Sequence, residues 1–124
     1  MGISPFLTVR GAARAADFYR RAFGATERSR LTTPSGQHVI VMELAGAELG
    51  VVDEDPRAFN LSPEALGGTS VRLSLVVDDP DAWAARAVEA GATVVFPVAD
   101  QPYGMRQGRV QDPFGHLWLI GKDI

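Results

Sequence analysis

The stretch Leu7-Thr8-Val9-Arg10, followed by an alanine-rich run ending in Phe23-Gly24-Ala25-Thr26, returns 67 to 68 residues later. The second copy reads Leu75-Val76-Val77-Asp78, with an alanine-rich run ending in Ala90-Gly91-Ala92-Thr93. A third correspondence follows: Leu44-Ala45-Gly46-Ala47 before Glu48-Leu49 stands where Pro113-Phe114-Gly115-His116 precedes Leu117-Trp118. Two similar modules in 124 residues imply one pseudo-symmetric unit, and such a unit places a cavity where its halves meet.

Working outward from the first copy, residues 4–10 are predicted as a strand, with Phe6 and Thr8 on one face and Leu7 and Val9 on the other. Residues 12–23 are predicted as a helix, because Ala12, Ala16, Tyr19 and Phe23 fall on one stripe while Arg14, Arg20 and Arg21 lie largely off it. Gly24 is a natural stop. Strands are expected at 25–32, 37–44 and 47–53, joined by Pro34-Ser35-Gly36 and by Gly46, which gives βαβββ.

The second copy follows a linker, 54–69, that holds a helical turn at Pro63 to Leu66. A β-branched run over 71–77 leads into Asp78-Asp79-Pro80, which starts a helix with the stripe Trp83, Ala87 and Ala90, stopped by Gly91. Strands at 94–96, 104–111 and 116–120 complete it, with Asp112-Pro113-Phe114-Gly115 as the last turn. Each module alone leaves one sheet face bare. Leu7, Val9, Leu73, Leu75 and Val77 are expected under the helices, and Ser4, Phe6, Thr8, Arg72, Ser74 and Val76 on the opposite, cup-lining face.

At 46% hydrophobic residues the chain suffices for one packed core and is too short for two ordinary ones, so residues 1–124 are read as a single domain. Its modules span about 2–53 and 70–122. Fifteen acidic against twelve basic residues, with no run of five like charges, disfavour nucleic acid. No stretch is long and apolar enough to enter a membrane and the first residues lack a leader pattern, so a cytoplasmic location is expected. The lack of cysteine removes disulfides, thiolate nucleophiles and cysteine metal sites.

The opening Pro5-Phe6-Leu7-Thr8-Val9, the helix end Asp17-Phe18-Tyr19 to Phe23-Gly24-Ala25, and the run from Tyr103 to Trp118 together resemble the vicinal oxygen chelate superfamily. This is the group of glyoxalases, bleomycin-resistance proteins and dioxygenases, and the chain is most similar to its PhnB-like branch. The Asp112-Pro113-x-Gly115-x-x-Trp118 ending of the second module is the most specific element. The resemblance implies an α+β fold of paired βαβββ modules that form a U-shaped, eight-stranded mixed sheet, in a homodimer. It fixes no reaction, because such folds host many chemistries.

In metal-dependent members of that superfamily, the first and last strand of each module supply one ligand each. Carried over by position, the four sites fall on Ser4, Arg72, Leu119 and Gly50. Leucine offers no lone pair, and arginine places a fixed positive charge where the ion would sit. Glu48 faces the same way as Gly50, and either occupies the fourth position, yet one carboxylate falls short of a full ligand count. No divalent metal and no other cofactor is expected.

Arg72 stands out on the cup floor. Its planar fork suits a carboxylate, phosphate or polarised carbonyl of a ligand, and equally an internal pair with Glu48. Phe6, Thr8, Ser74, Met105 and Leu119 complete the expected lining, with Tyr103 at the rim in Pro102-Tyr103-Gly104. Trp118 alternates away from Leu119 and is expected under a helix. His116 shares that face, His38 opens a hairpin strand, and both read as surface or turn residues outside any Ser/His/Asp arrangement. Gly104 and Gly108 match no phosphate-loop spacing and are read as strand-edge bulges. Arg106 and Arg109 lie on opposite faces of one strand, one near the cup mouth and the other meeting acidic residues such as Glu43 or Asp112.

Three functions follow. The first is a small-molecule binding protein of the resistance or sequestration type. The second is a lyase, isomerase or dioxygenase, using a recruited metal or using Arg72 to stabilise an oxyanion while Glu48 moves a proton. The third is a protein that serves assembly alone. The missing metal set and the largely apolar lining favour the first.

Overall fold

The strands pair strictly within modules in the computed structural model, which describes residues 1–124. Module 1 comprises β1 (Phe6–Val9), α1 (Ala12–Phe23), β2 (Thr26–Thr32), β3 (His38–Leu44) and β4 (Ala47–Asp53). The linker carries a 3-10 turn at Pro56–Ala58 and the short α2 (Pro63–Leu66). Module 2 comprises β5 (Arg72–Val76), α3 (Pro80–Ala90), β6 (Thr93–Asp100), β7 (Met105–Gln111) and β8 (Leu117–Asp123). The sheet orders β1-β4-β3-β2 and β5-β8-β7-β6 are the same order run twice, each with one parallel and two antiparallel pairs. The fold is α+β, two βαβββ modules whose eight strands divide into two mixed sheets of four.

Alternation decides which face of each sheet meets the helices. Leu7, Val9 and Leu75 are buried, while Phe6, Arg72, Ser74 and Val76 are exposed on the other face. The predicted stripe of α1 is buried in full, and Ala15, Phe18 and Ala22 are buried with it. The buried arc is wider than one stripe because α1 packs against its own sheet and also against α3. Its aromatic side chains reach module 2: ring centroids lie 4.8 Å apart for Phe23 and Trp118 and 5.5 Å apart for Tyr19 and Trp118. One hydrophobic core therefore spans both modules, with the helices between the sheets. Each such side chain contributes about 1.5–3 kcal/mol by leaving water.

Local signals set the helix ends. Asp79 accepts from the Ala82 N–H at 3.1 Å and Pro80 fills the first turn of α3, while Gly24 ends α1 in the left-handed region. Gly11, ahead of α1, has no side chain to cap with; Asp53 of β4 accepts from the Ala12 N–H at 2.7 Å instead. The other oxygen of Asp53 accepts from the His38 N–H at 2.8 Å. In the linker, Ser62 caps α2 and donates to Glu54 at 2.6 Å, which together with Arg10 holds the Glu54 carboxyl below the usual range.

Several strand limits differ from the sequence reading. Ser4 and Val71 lie outside β1 and β5. His116 belongs to the last turn, because its N–H donates to Asp112. The strand expected at 94–96 runs to Asp100, with register shifts between Val94 and Phe96 and between Phe96 and Ala99. Pro97, which has no N–H to give a ladder, sits in the second shift, where that loss is tolerated. Gly104 is a turn residue with φ of 82°, not a bulge. Gly108 lies in a regular stretch of β7, and the bulge is on the β6 segment facing it. No helix is long and apolar enough to cross a membrane.

Candidate functional site

The four positions that the resemblance gives to metal ligands, Ser4, Gly50, Arg72 and Leu119, are brought no closer to a cation site by folding. Ser4 is exposed ahead of β1, with its hydroxyl 3.5 Å from Glu48. Gly50 lies beneath the Phe6 ring, which would stand 2.6 Å from a Cβ at that position. Arg72 and Leu119 line module 2, and no three His, Asp or Glu side chains converge anywhere. Glu48 is exposed opposite Glu43, whose carboxylate is engaged by Arg28 at 3.1 Å. One free carboxylate beside a serine, a glycine covered by a ring, an arginine and a leucine does not fit a divalent ion.

The bare face of the second sheet forms a cup of about 400 Å³. Register builds its floor. Arg109 of β7 pairs with Phe96 of β6 and Leu119 of β8, and Arg72 lies on β5 two residues before Ser74, the partner of Leu119 that lines a separate crevice. The Arg109 guanidinium lies over the Phe96 ring, 5.1 Å from its centroid. One wall is held by hydrogen bonds: Tyr103 donates to the Gln107 side chain at 2.7 Å, and Gln101 donates to the Gln107 carbonyl at 2.9 Å. No acidic residue lines this cup.

Arg106, on the opposite face of β7, is fully engaged. It pairs with Asp81 at 2.8 Å and Asp100 at 3.0 Å, not with Glu43 or Asp112. The start of α3 and the extended end of β6 bring those two carboxylates to it. The Arg106 contact holds the Asp81 carboxyl below its usual range and raises the guanidinium's own pKa. Asp112 is buried and accepts from Tyr19 and Trp118 side chains and from the Phe114 and His116 N–H groups.

The expected lining residues separate into two places. Arg72, Tyr103 and Leu119 line the cup. Glu48 and Ser74 line a distinct crevice of about 310 Å³ between the Leu44–Leu49 corner and β5, beside Leu73, Val76 and Trp118. Phe6 is exposed above Gly50, Thr8 is half-buried, and Met105 is half-buried with its sulfur 3.8 Å from Gln107 Nε2. Arg72 makes no ion pair, so the pairing with Glu48 is not formed; two different cavities hold the two groups. Trp118 is buried against α1, as its alternation requires.

The histidines hold the framework. His116 is half-buried, and its Nε2 donates to the Thr8 carbonyl at 2.9 Å, so it links the modules instead of facing solvent. His38, also half-buried, places Nδ1 3.0 Å from the Thr32 hydroxyl. Neither lines the cup or the crevice. Of the two arginines expected on opposite faces of β7, Arg109 is the one at the cup, while Phe96, Gln101 and Gln107 were not anticipated as lining. For Arg109 and Gln107 the signal exists: both sit an even number of residues apart on β7, and pairing of Arg109 with Leu119 puts them on the cup face.

Comparison with known proteins agrees with this architecture. A sequence model described as the Glyoxalase/Bleomycin resistance protein/Dioxygenase superfamily matches residues 3–120. An uncharacterised protein of Mycobacterium bovis is 41% identical over 126 residues, covering 98% of this chain and 83% of its own. Among solved structures, TioX from Micromonospora sp. ML1 superimposes with a TM-score of 0.78 at 26% identity, covering 100% of this chain and 99% of that one. The fosfomycin resistance protein FosX from Listeria monocytogenes, at 15% identity and a TM-score of 0.74 over 100% of this chain and 93% of its own, shares the fold. With the repeated βαβββ topology and a superfamily match over nearly its whole length, the chain belongs to the glyoxalase/bleomycin resistance protein/dioxygenase superfamily.

Proposed function

We propose that this protein is a metal-independent small-molecule binding protein of the glyoxalase/bleomycin-resistance type, in the PhnB-like branch, which holds an organic ligand against the bare face of its second sheet. The observation that supports this reading is the cup itself. A concavity of about 400 Å³ floored by Leu119 and Phe96, with a few polar groups fixed around it, is built as ligand pockets are built. The donor set at the four family positions does not fit a divalent ion, which favours binding without metal. An enzyme reading that relies on Arg72 and Glu48 together has no geometric support, since the two side chains line separate cavities.

The protein is proposed to act in the cytoplasm, as a homodimer, without nucleic acid or membrane partners. A second copy would cover the bare sheet faces, where Phe6, Val76 and Phe96 are each more than half exposed. A ligand screen by thermal shift, run with and without EDTA, tests the function. Stabilisation by organic ligands that is indifferent to EDTA is expected, and dependence on added Mn, Ni, Zn or Fe overturns metal independence. Gel filtration at a mass near 13.3 kDa would overturn the dimer.

A further inference from the structure

We infer that the ligand of the module 2 cup is an organic oxyanion, a carboxylate or phosphonate on a planar ring, gripped by Arg72 and Arg109. The inference rests on the proposed binding function and names the class of ligand. It starts from an imbalance of charge. The chain has more acidic than basic residues, and its exposed arginines are mostly paired: Arg10, Arg20, Arg21, Arg28, Arg30, Arg57 and Arg106 each meet a carboxylate. Arg14, Arg72, Arg86 and Arg109 do not; Arg86 instead donates to the Arg20 and Arg21 carbonyls, whereas Arg72 and Arg109 line the same cup, which has no acidic residue in its wall.

Arg109 carries a second anomaly. Its Nε–H is shielded from solvent and has no acceptor, the only buried side-chain nitrogen or oxygen in the protein so placed. A buried donor left unmade costs free energy comparable to a lost hydrogen bond, and more when the group is charged. An oxyanion in the cup supplies what is missing once the guanidinium turns on the Phe96 ring to present that edge, because a carboxylate or phosphonate accepts side-on from the Nε–H and one terminal N–H of a guanidinium.

Geometry sets the rest of the ligand. Arg72 and Arg109 stand two strands and two residues apart, about 12 Å between Cα atoms from strand spacing and rise, so two extended side chains can converge on one anion above Leu119. Phe96, under the Arg109 guanidinium, and Tyr103, anchored to Gln107, supply flat apolar surface beside that point. Such surface takes a planar ring at little entropic cost, since the wall is already ordered.

The test is an amide NMR titration of the full chain at constant ionic strength with benzoate, phenylphosphonate and, as the uncharged isostere, benzamide. Benzoate or phenylphosphonate is expected to shift the amides around Arg72, Gln107 and Arg109 and to bind about tenfold or more tightly than benzamide. Whichever anion binds tighter identifies the oxyanion. Arg72→Met and Arg109→Met are each expected to weaken the anion by about tenfold or more, leaving benzamide unchanged. Arg109→Met removes an unpaired buried donor, so its melting temperature should equal or exceed that of the parent; Arg109→Lys, which keeps the charge but not the fork, gives an independent reading with intermediate affinity. Equal binding of benzamide or unchanged affinity in both Met variants overturns the oxyanion assignment. Either result leaves the binding function standing. Absence of any shift with all three probes also overturns the assignment, whereas the binding function falls only when the wider EDTA-controlled screen yields no ligand either.

Discussion

Asp112 shows how much one residue of this chain carries. Its buried carboxylate accepts from the Tyr19 hydroxyl at 2.5 Å and the Trp118 indole at 2.9 Å, and from two N–H groups of its own turn. Tyr19 comes from module 1 and the rest from module 2, so the bond crosses the molecule. Burial first, and then the Asp112 charge, push the Tyr19 hydroxyl's pKa well above its ordinary value of 10.0. Below that ordinary value both folded and unfolded chains hold the proton, and the contribution to stability is complete. Above it only the unfolded chain ionises, so stability falls as pH rises. Tyr19→Phe is expected to lose about 1–3 kcal/mol in urea unfolding at neutral pH and to show a shallower decline between about pH 9 and 11. Gly108→Ala places a Cβ 2.7 Å from the Val98 backbone nitrogen, which cannot swing aside. A loss of about 1–3 kcal/mol is expected for it, together with weaker ligand binding as the Phe96 wall moves.

Among the elements, the helices and hairpins were the most legible in sequence and the sixth strand the least. The expected limits 12–23 and 47–53 coincide with α1 and β4, because the apolar stripe, Gly24 and Gly46 are local signals. β6 hides behind Pro97 and two register shifts, which break the alternation that marks a strand and re-aim Phe96 into the cup. The cap of α1 was equally hidden, since Asp53 lies 41 residues from the N–H it satisfies. The two aspartate caps therefore differ in consequence. Asp79→Ala removes one cap bond and should cost about 1 kcal/mol in thermal or urea unfolding. Asp53→Ala unties Ala12 and His38 together and should cost more, with loss of hydrogen-exchange protection at the start of α1 and of β3.

At the scale of the whole molecule, the helices lie between the sheets and one aromatic cluster joins the modules. Neither half retains a core without the other, so a single unfolding transition is expected, with tryptophan fluorescence and far-UV circular dichroism coincident in urea. Two separated transitions would show that the modules fold independently. The duplication, the order of the elements, the helix-facing side of β1, β5 and Trp118, and the residue types at the positions the resemblance gives to metal ligands are legible in the chain alone. All of these follow from local periodicity and residue chemistry, which a linear chain displays directly. Tertiary packing sets that Glu48 and Arg72 line different cavities, that Arg109, without an ion pair, shares a cup with Arg72, and that Asp81 and Asp100 claim Arg106. Those outcomes depend on strand register, on bulges and on the packing of α1 against module 2, which set the distance between residues far apart in the chain and leave no local mark on it.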